Sequence, residues 1–399
     1  MKVASSVLVA DTVVIGAGPI GASAARHLSL DPEAGAVVVI GPQEPLDHHG
    51  DPAAGRGPFG AWHDEARLTR IVANDDVWAT LAEESIDRYP AIRAAGGLDF
   101  HRRTGVLYVH EAAASFELQR AVSSQHRAVF DTVSDDPGRF PYLRVPDGAG
   151  LLLEGGEAGV VNPRLLVANQ LAGATANGAS VIRDVATRVD TTATGVVVHT
   201  RGGLRVPARR VLVAAGAYVN SFELLSDPLP VESIGITALF YSVEGAVAEA
   251  LAAMPGMLWY PDAPGSHFLY TVPPTRYPDG RTYVKIGGIR ESGPLDGSDE
   301  IDRWHGTDGG DLESDLLREW VDGHVPVLTG CDSHSIGCVI TEVASACPMI
   351  AEVMSDTVFV ATGCAGAAAK SCDEIGRLAA VLTARGEWDS ALDAALFAS

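Results

Sequence analysis

Thr12-Val13-Val14-Ile15-Gly16-Ala17-Gly18-Pro19-Ile20-Gly21 is the stretch that decides the fold. Its first four residues are apolar or β-favouring in unbroken succession, the pattern of a strand buried on both faces. Gly16, Gly18 and Gly21 then mark a turn, with Pro19 and Ile20 between them, and Ala22 to Leu30 is compatible with a helix. Val37 to Ile40 supplies a second buried strand, which completes a βαβ unit of the dinucleotide-binding kind. The glycines have separate tasks. Gly16 makes the tight turn, Gly18 lets the backbone approach a pyrophosphate, and Gly21 lets helix and strand pack closely. The pyrophosphate would rest on the helix N-terminus, where unpaired N–H groups and the helix dipole favour an anion. A glycine triplet alone says little; its place after a strand and before a helix carries the reading.

Outward from this unit, residues 41–60 are rich in Pro, Gly, Asp and His and read as a loop, so His48 and His49 are loop residues and not metal ligands. One helix is predicted from about Asp75 to Ala95, a mixed pattern from Phe100 to Pro146, and a second helix from Pro163 to about Asn177. Short strands at 181–189, 195–200 and 204–206 lead into Arg210-Val211-Leu212-Val213-Ala214-Ala215-Gly216-Ala217-Tyr218. The small residues ending that strand suit a second backbone approach to the same cofactor. Alternating apolar residues at 237–243, 267–272 and 282–289 indicate an antiparallel sheet. A final strand, Thr357 to Ala361, precedes a loop and a helix from Ala367 to Thr383. The expected class is α/β, α+β overall: a Rossmann-like nucleotide domain built from 1–95, 150–228 and 330–399. An antiparallel-sheet substrate domain, 96–149 and 229–329, is inserted into it.

Composition narrows the function. The 399 residues include 51 acidic and 29 basic side chains, a formal charge of −22, which argues against nucleic acid as a partner. A hydrophobic content of 47% with 20% charged residues is that of a globular protein. No apolar run approaches the ~20 residues that span a bilayer, and Asp11 interrupts the opening MKVASSVLVA before it can serve as a secretion signal. Cys331, Cys338, Cys347, Cys364 and Cys372 include no C-x-x-C pair, which argues against zinc; the odd count favours reduced thiols in the cytoplasm. Lysine occurs only as Lys2, Lys285 and Lys370, against 26 arginines. A lysine kept in so arginine-rich a chain points to a site that a guanidinium cannot fill.

Several elements, in this order, resemble the flavin amine oxidases of the sarcosine oxidase and D-amino acid oxidase superfamily: GAGPIG at 16–21, HDEARLTR at 63–70, VLVAAGAYVN at 211–220, VKIGG at 284–288, GCVIT at 337–341, and the run from Gly363 to Ser371. The likeness is greatest to the monomeric sarcosine oxidase branch. It implies FAD, with Gly16, Gly18, Pro19, Ile20, Gly21, His63, Arg67, Val185, Ala215, Gly216, Cys338, Gly363, Gly366 and Lys370 around it. Cys338 falls where that branch attaches the flavin through a cysteinyl thioether, 32 residues before Lys370. Lys285 matches the lysine that activates oxygen, a role in which a compact ammonium stabilises developing negative charge. On its strand it shares a face with Tyr283 and Gly287 and is expected to point into a lined cavity. Lys370 and Arg70 match the pair that holds a substrate carboxylate, and Tyr270 is an expected aromatic wall.

Departures from that pattern shape the substrate reading. The ribose-gripping acid after the second strand is replaced by Gly41, with Gln43 and Glu44 following. Ile289 and Ile340 stand where a histidine and a tyrosine are usual, and Gly366-Ala367-Ala368-Ala369 replaces Gly-His-Gly-Phe. The implied pocket is larger and more apolar than one shaped for sarcosine. The resemblance therefore implies an oxidase of a secondary, cyclic or N-alkyl amino acid or amine, passing a hydride to flavin N5 and electrons to molecular oxygen. A flavin dehydrogenase serving a quinone or carrier protein, and a non-catalytic flavin-binding subunit, are the alternatives.

Overall fold

The computed structural model describes residues 10–44, 57–262 and 268–398, so Lys2, His48 and His49 lie outside the described residues. Thr12–Ile15 is the strand expected, and all four of its residues are buried. It lies inside a six-stranded sheet whose order is Met349–Met354, Val358–Thr362, Arg210–Val213, Thr12–Ile15, Val37–Ile40 and Ser180–Ile182. Every pairing is parallel except that of the outermost strand, Met349–Met354. Val13 sits opposite Val211 on one side and Val38 on the other. Helices Pro19–Leu30, Pro163–Ala176 and Ala368–Arg385 cover one face and share its core of Val14, Leu28, Leu212 and Ile375. A small antiparallel sheet, Ala186–Thr192, Gly195–Thr200 and Arg205–Ala208, covers the other. The carboxyl ends of these parallel strands therefore open together, where such sheets bind ligands.

The helix foreseen over 75–95 is two helices, Asp76–Asp87 and Tyr89–Gly96, which break at Arg88. Pro90 in the first turn of the second helix lacks an N–H, which favours a new start over continuation. Asp75 caps the first by accepting from the Trp78 amide at 2.8 Å.

The second large sheet has eight strands, ordered Ser333–Val343, Val231–Ser242, Thr282–Gly287, Leu269–Arg276, Gly256–Tyr260, Val106–His110, Gly150–Glu154 and Phe130–Thr132. It is antiparallel except where Gly256–Tyr260 runs parallel to Val106–His110. Two of its strands, Gly150–Glu154 and Ser333–Val343, fall in segments that the sequence division placed with the nucleotide domain. Register explains their membership: Ser333–Val343 pairs along its whole length with Val231–Ser242, and Gly150–Glu154 pairs with Val106–His110. Pro273 and Pro274 interrupt the pairing of their strand with Thr282–Gly287, leaving a register shift between Val272 and Thr275. Among the described residues, no helix is long and apolar enough to cross a membrane.

Candidate active site

Gly16 has φ +109°, and a Cβ there would strike the Ala214 carbonyl; one on Gly21 would strike the carbonyl of Gly16. Strand, turn and helix thus approach as closely as backbone allows. The Pro19–Leu30 helix begins at Gly18 with no side-chain cap, so its first amides are left for an external acceptor.

These groups open onto a cavity of about 920 Å³ between the two large sheets, walled at one end by Gly16, Gly18, Gln43 and Glu44 and elsewhere by Arg70, Tyr270 and Lys370. Pro19, Ile20, His63, Arg67, Val185, Ala215, Gly216, Cys338 and Gly366 also line it. Gly21, Gly363 and Lys285 are not among the residues that line it. The Thr362 hydroxyl is buried on the wall without a hydrogen-bond partner, at the carboxyl end of its strand. The glycine cradle, the uncapped helix and this orphaned hydroxyl all fit FAD. At the mouth, Arg164 pairs with Glu44 at 2.5 Å and with Glu65 at 2.6 Å.

Cys338 faces the cavity from the middle of its strand, opposite Ile236, and its carbonyl accepts from Trp304 Nε1 at 2.9 Å. Tyr270 lies opposite Gly287, and its ring occupies the space that a Cβ on Gly287 would need. Burial pushes the Tyr270 phenol up to about 12.

Arg70, half-buried, and Lys370, buried, bring two basic side chains to the cavity wall. The Arg70 guanidinium donates to the Val72 carbonyl and lies 5.8 Å from the centre of the Tyr108 ring. Burial works against its charge, but Tyr108, Tyr260 and Glu154 outweigh it and hold the pKa above the ordinary arginine value. Lys370 Nζ donates to the Trp78 carbonyl at 3.2 Å. Burial and the neighbouring Arg70 push its pKa well below that of a free lysine. Beneath them the buried Glu154 accepts from the Tyr108 hydroxyl at 2.5 Å and the Ile71 amide at 2.7 Å, fixing the turn that follows Arg70. Burial raises the pKa of Glu154 despite those donors. Glu154 was not foreseen, though an acid closing the apolar strand Leu151-Leu152-Leu153 was a visible signal.

Lys285 differs from expectation. Only 1% of it is exposed, and Nζ is spent on Asp64 Oδ2 at 2.5 Å and on the Ala66 carbonyl, so it points to the chain at 64–67 and not into open cavity. Burial and the Arg67 guanidinium press its pKa well below the usual lysine value. Asp64 also pairs with Arg67 and accepts from the Tyr277 hydroxyl at 2.6 Å. Asp64 lies inside the HDEARLTR segment, yet nothing in the spacing joins it to residue 285.

The model of the family described as DAO, FAD-dependent oxidoreductase, matches residues 11–382. No curated protein matches in sequence. Among solved structures, NikD, "an unusual amino acid oxidase essential for nikkomycin biosynthesis", superposes in its open form with a TM-score of 0.73 at 20% identity, covering 98% of this chain and 97% of its own. L-proline dehydrogenase from P. horikoshii gives 0.74 at 15%, covering 98% and 97%. Iminodiacetate oxidase from Chelativorans sp. BNC1 gives 0.68 at 21%, covering 97% and 98%. Identities this low establish a shared fold.

Proposed function

The chain belongs to the FAD-dependent oxidoreductase family, and on that premise we propose that it oxidises a secondary, cyclic or N-alkyl amino acid. The observation that carries this reading is the pair of basic side chains, Arg70 and Lys370, on the wall of a cavity that fits FAD. Arg70 acts electrostatically on Lys370, and an anion bound beside the two would relieve that repulsion; a carboxylate matches the guanidinium fork. FAD supplies the hydride acceptor for the carbon next to nitrogen, so that the amine leaves as an imine and oxygen carries the electrons away as hydrogen peroxide.

The protein's own part is placement. Arg70 and Lys370 anchor the carboxylate, Glu154 and Tyr108 hold Arg70 in its pose, and Tyr270, Leu258 and Val272 wall the pocket against water. Gly366 to Ala369, small throughout, leave room for a bulkier amine. Cys338, on the cavity wall, is the proposed point of covalent attachment, and Lys285 with Arg67 is the proposed source of positive charge for the oxygen step.

The test is a screen of cyclic and N-alkyl amino acids, first without oxygen and then with it. Bleaching of the flavin by one such acid, followed by peroxide stoichiometric with substrate once air is admitted, supports the oxidase. Bleaching without peroxide assigns electrons to a quinone or carrier protein. Failure of every amine to bleach the flavin points to a non-catalytic subunit.

A further inference from the structure

We propose that Asp64, in contact with Nζ at 2.5 Å, is the positioning residue that keeps Lys285 an ammonium ion. The Lys285–Asp64–Arg67 cluster is then one charged unit. The protonation claim stands on geometry; its consequence for oxygen rests on the oxidase reading above.

Asp64 is 7% exposed and accepts from five donors. Lys285 Nζ and Arg67 Nη1 meet Oδ2, while the Tyr277 hydroxyl, the Glu65 amide and the Ala66 amide meet Oδ1, the last three at 2.6, 2.7 and 3.3 Å. A carboxylate held by that many donors stays ionised. Arg67 brings a guanidinium to the same carboxylate oxygen. The variable member is Lys285. An ammonium withdrawn from water beside another cation is most cheaply relieved by losing its proton.

The groups facing Lys285 come from every element packed on it. Asp64 and Arg67 come from the 64–69 segment, and Cys338 from the Ser333–Val343 strand. The Phe240 ring lies 5.9 Å away on the Val231–Ser242 strand. Tyr277, beyond the Leu269–Arg276 strand, reaches the cluster through Asp64. Among the described residues, Asp64 is the carboxylate in contact. With it, two cations and one anion leave a net positive charge and an ammonium; without it, the same net charge would sit on Arg67 alone. A neutral amine cannot stabilise the negative charge that develops on oxygen.

Three lysines in the whole chain make the test direct. Lysine labelled with ¹³C gives three ε-carbon signals in the holoenzyme, and Lys285→Met identifies one of them. In the wild type that signal should hold the ammonium position at pH 7, while in Asp64→Asn its midpoint should fall by about 1 to 3 pH units. Asp64→Glu, which restores a carboxylate, should recover part of the loss. A wild-type Lys285 already neutral at pH 7 overturns the proposal and needs no variant. So does an Asp64→Asn protein that titrates at the wild-type midpoint. Reoxidation of the reduced enzyme by oxygen is followed separately across pH and should fall through the midpoint that NMR reports for each protein. If the NMR midpoint moves and the oxygen rate does not follow it, Asp64 governs the lysine but Lys285 has no part in the oxygen step.

Discussion

Lys285 and Asp64, 221 residues apart in the chain, meet at 2.5 Å in the buried interior. The contact joins the strand Thr282–Gly287 to the segment that also carries Arg67 and Arg70. It places the ammonium within the electrostatic reach of Cys338, the residue proposed to carry the flavin. Lys285→Met keeps the length of the side chain and removes the charge. Reoxidation by oxygen should slow by about 100-fold or more, on the scale of losing one preorganised electrostatic donor. Flavin reduction by substrate should change far less. Stopped-flow traces of the two half-reactions separate them, and equal slowing of both would remove Lys285 from the oxygen step.

Cys338 lines the cavity near the middle of an edge strand that pairs along its whole length with Val231–Ser242, so replacing it should leave the fold intact. Acid precipitation of the wild type should give a yellow pellet, and Cys338→Ser a colourless pellet with the flavin in the supernatant. A colourless wild-type pellet would end the covalent assignment.

Arg70 and Lys370 should be separable from the chemistry. A non-reactive cyclic carboxylate, titrated by flavin absorbance, should bind about 10- to 100-fold more weakly to Arg70→Met or Lys370→Met, the worth of one charged hydrogen bond of about 1.5–3 kcal/mol. An uncharged amine of the same shape should bind these variants and the wild type alike. Equal weakening for both ligands would mean that the pocket had collapsed.

Stability should depend on Asp373, 1% exposed, which accepts from Arg26 at 2.8 Å, Arg88 at 2.6 Å and Gln170 at 2.8 Å. Burial alone would raise its pKa, but His27, Arg26 and Arg88 hold it far below the ordinary carboxylate value. Because the folded pKa is depressed, its contribution is fully present above the unfolded value of about 3.9. It is lost as pH falls from there towards the folded value. Asp373→Asn, which leaves the buried Arg26 without its carboxylate while Arg88 keeps Glu374 and Glu84, should cost about 3–5 kcal/mol at neutral pH. The variant's melting temperature should also decline less steeply than the wild type's below about pH 4. Parallel acid profiles for the two proteins would count against this role.

The nucleotide-binding half was legible because its signals are local. A strand buried on both faces must be apolar throughout, a crowded turn must be glycine, and both constraints are written in consecutive residues at 12–21. The sheet membership of 150–154 and 333–343 has the opposite origin. Either segment would serve as a buried strand in either sheet, and partners distant in sequence decide which.

The site divides in the same way. Sequence alone determined a dinucleotide cradle at Gly16, Gly18 and Gly21 and singled out Lys285 and Lys370 by their rarity. Through the family pattern it also placed Arg70 and Cys338, and all of these converge on or beside one cavity. Tertiary structure alone decided what neutralises them. Glu154 under Arg70 and Asp64 against Lys285 come from distant strands and loops, and a buried charge is tolerated only where folding delivers its counter-charge. A residue's type can announce that an ammonium is wanted; whether it keeps its proton is set by neighbours that share no sequence spacing with it.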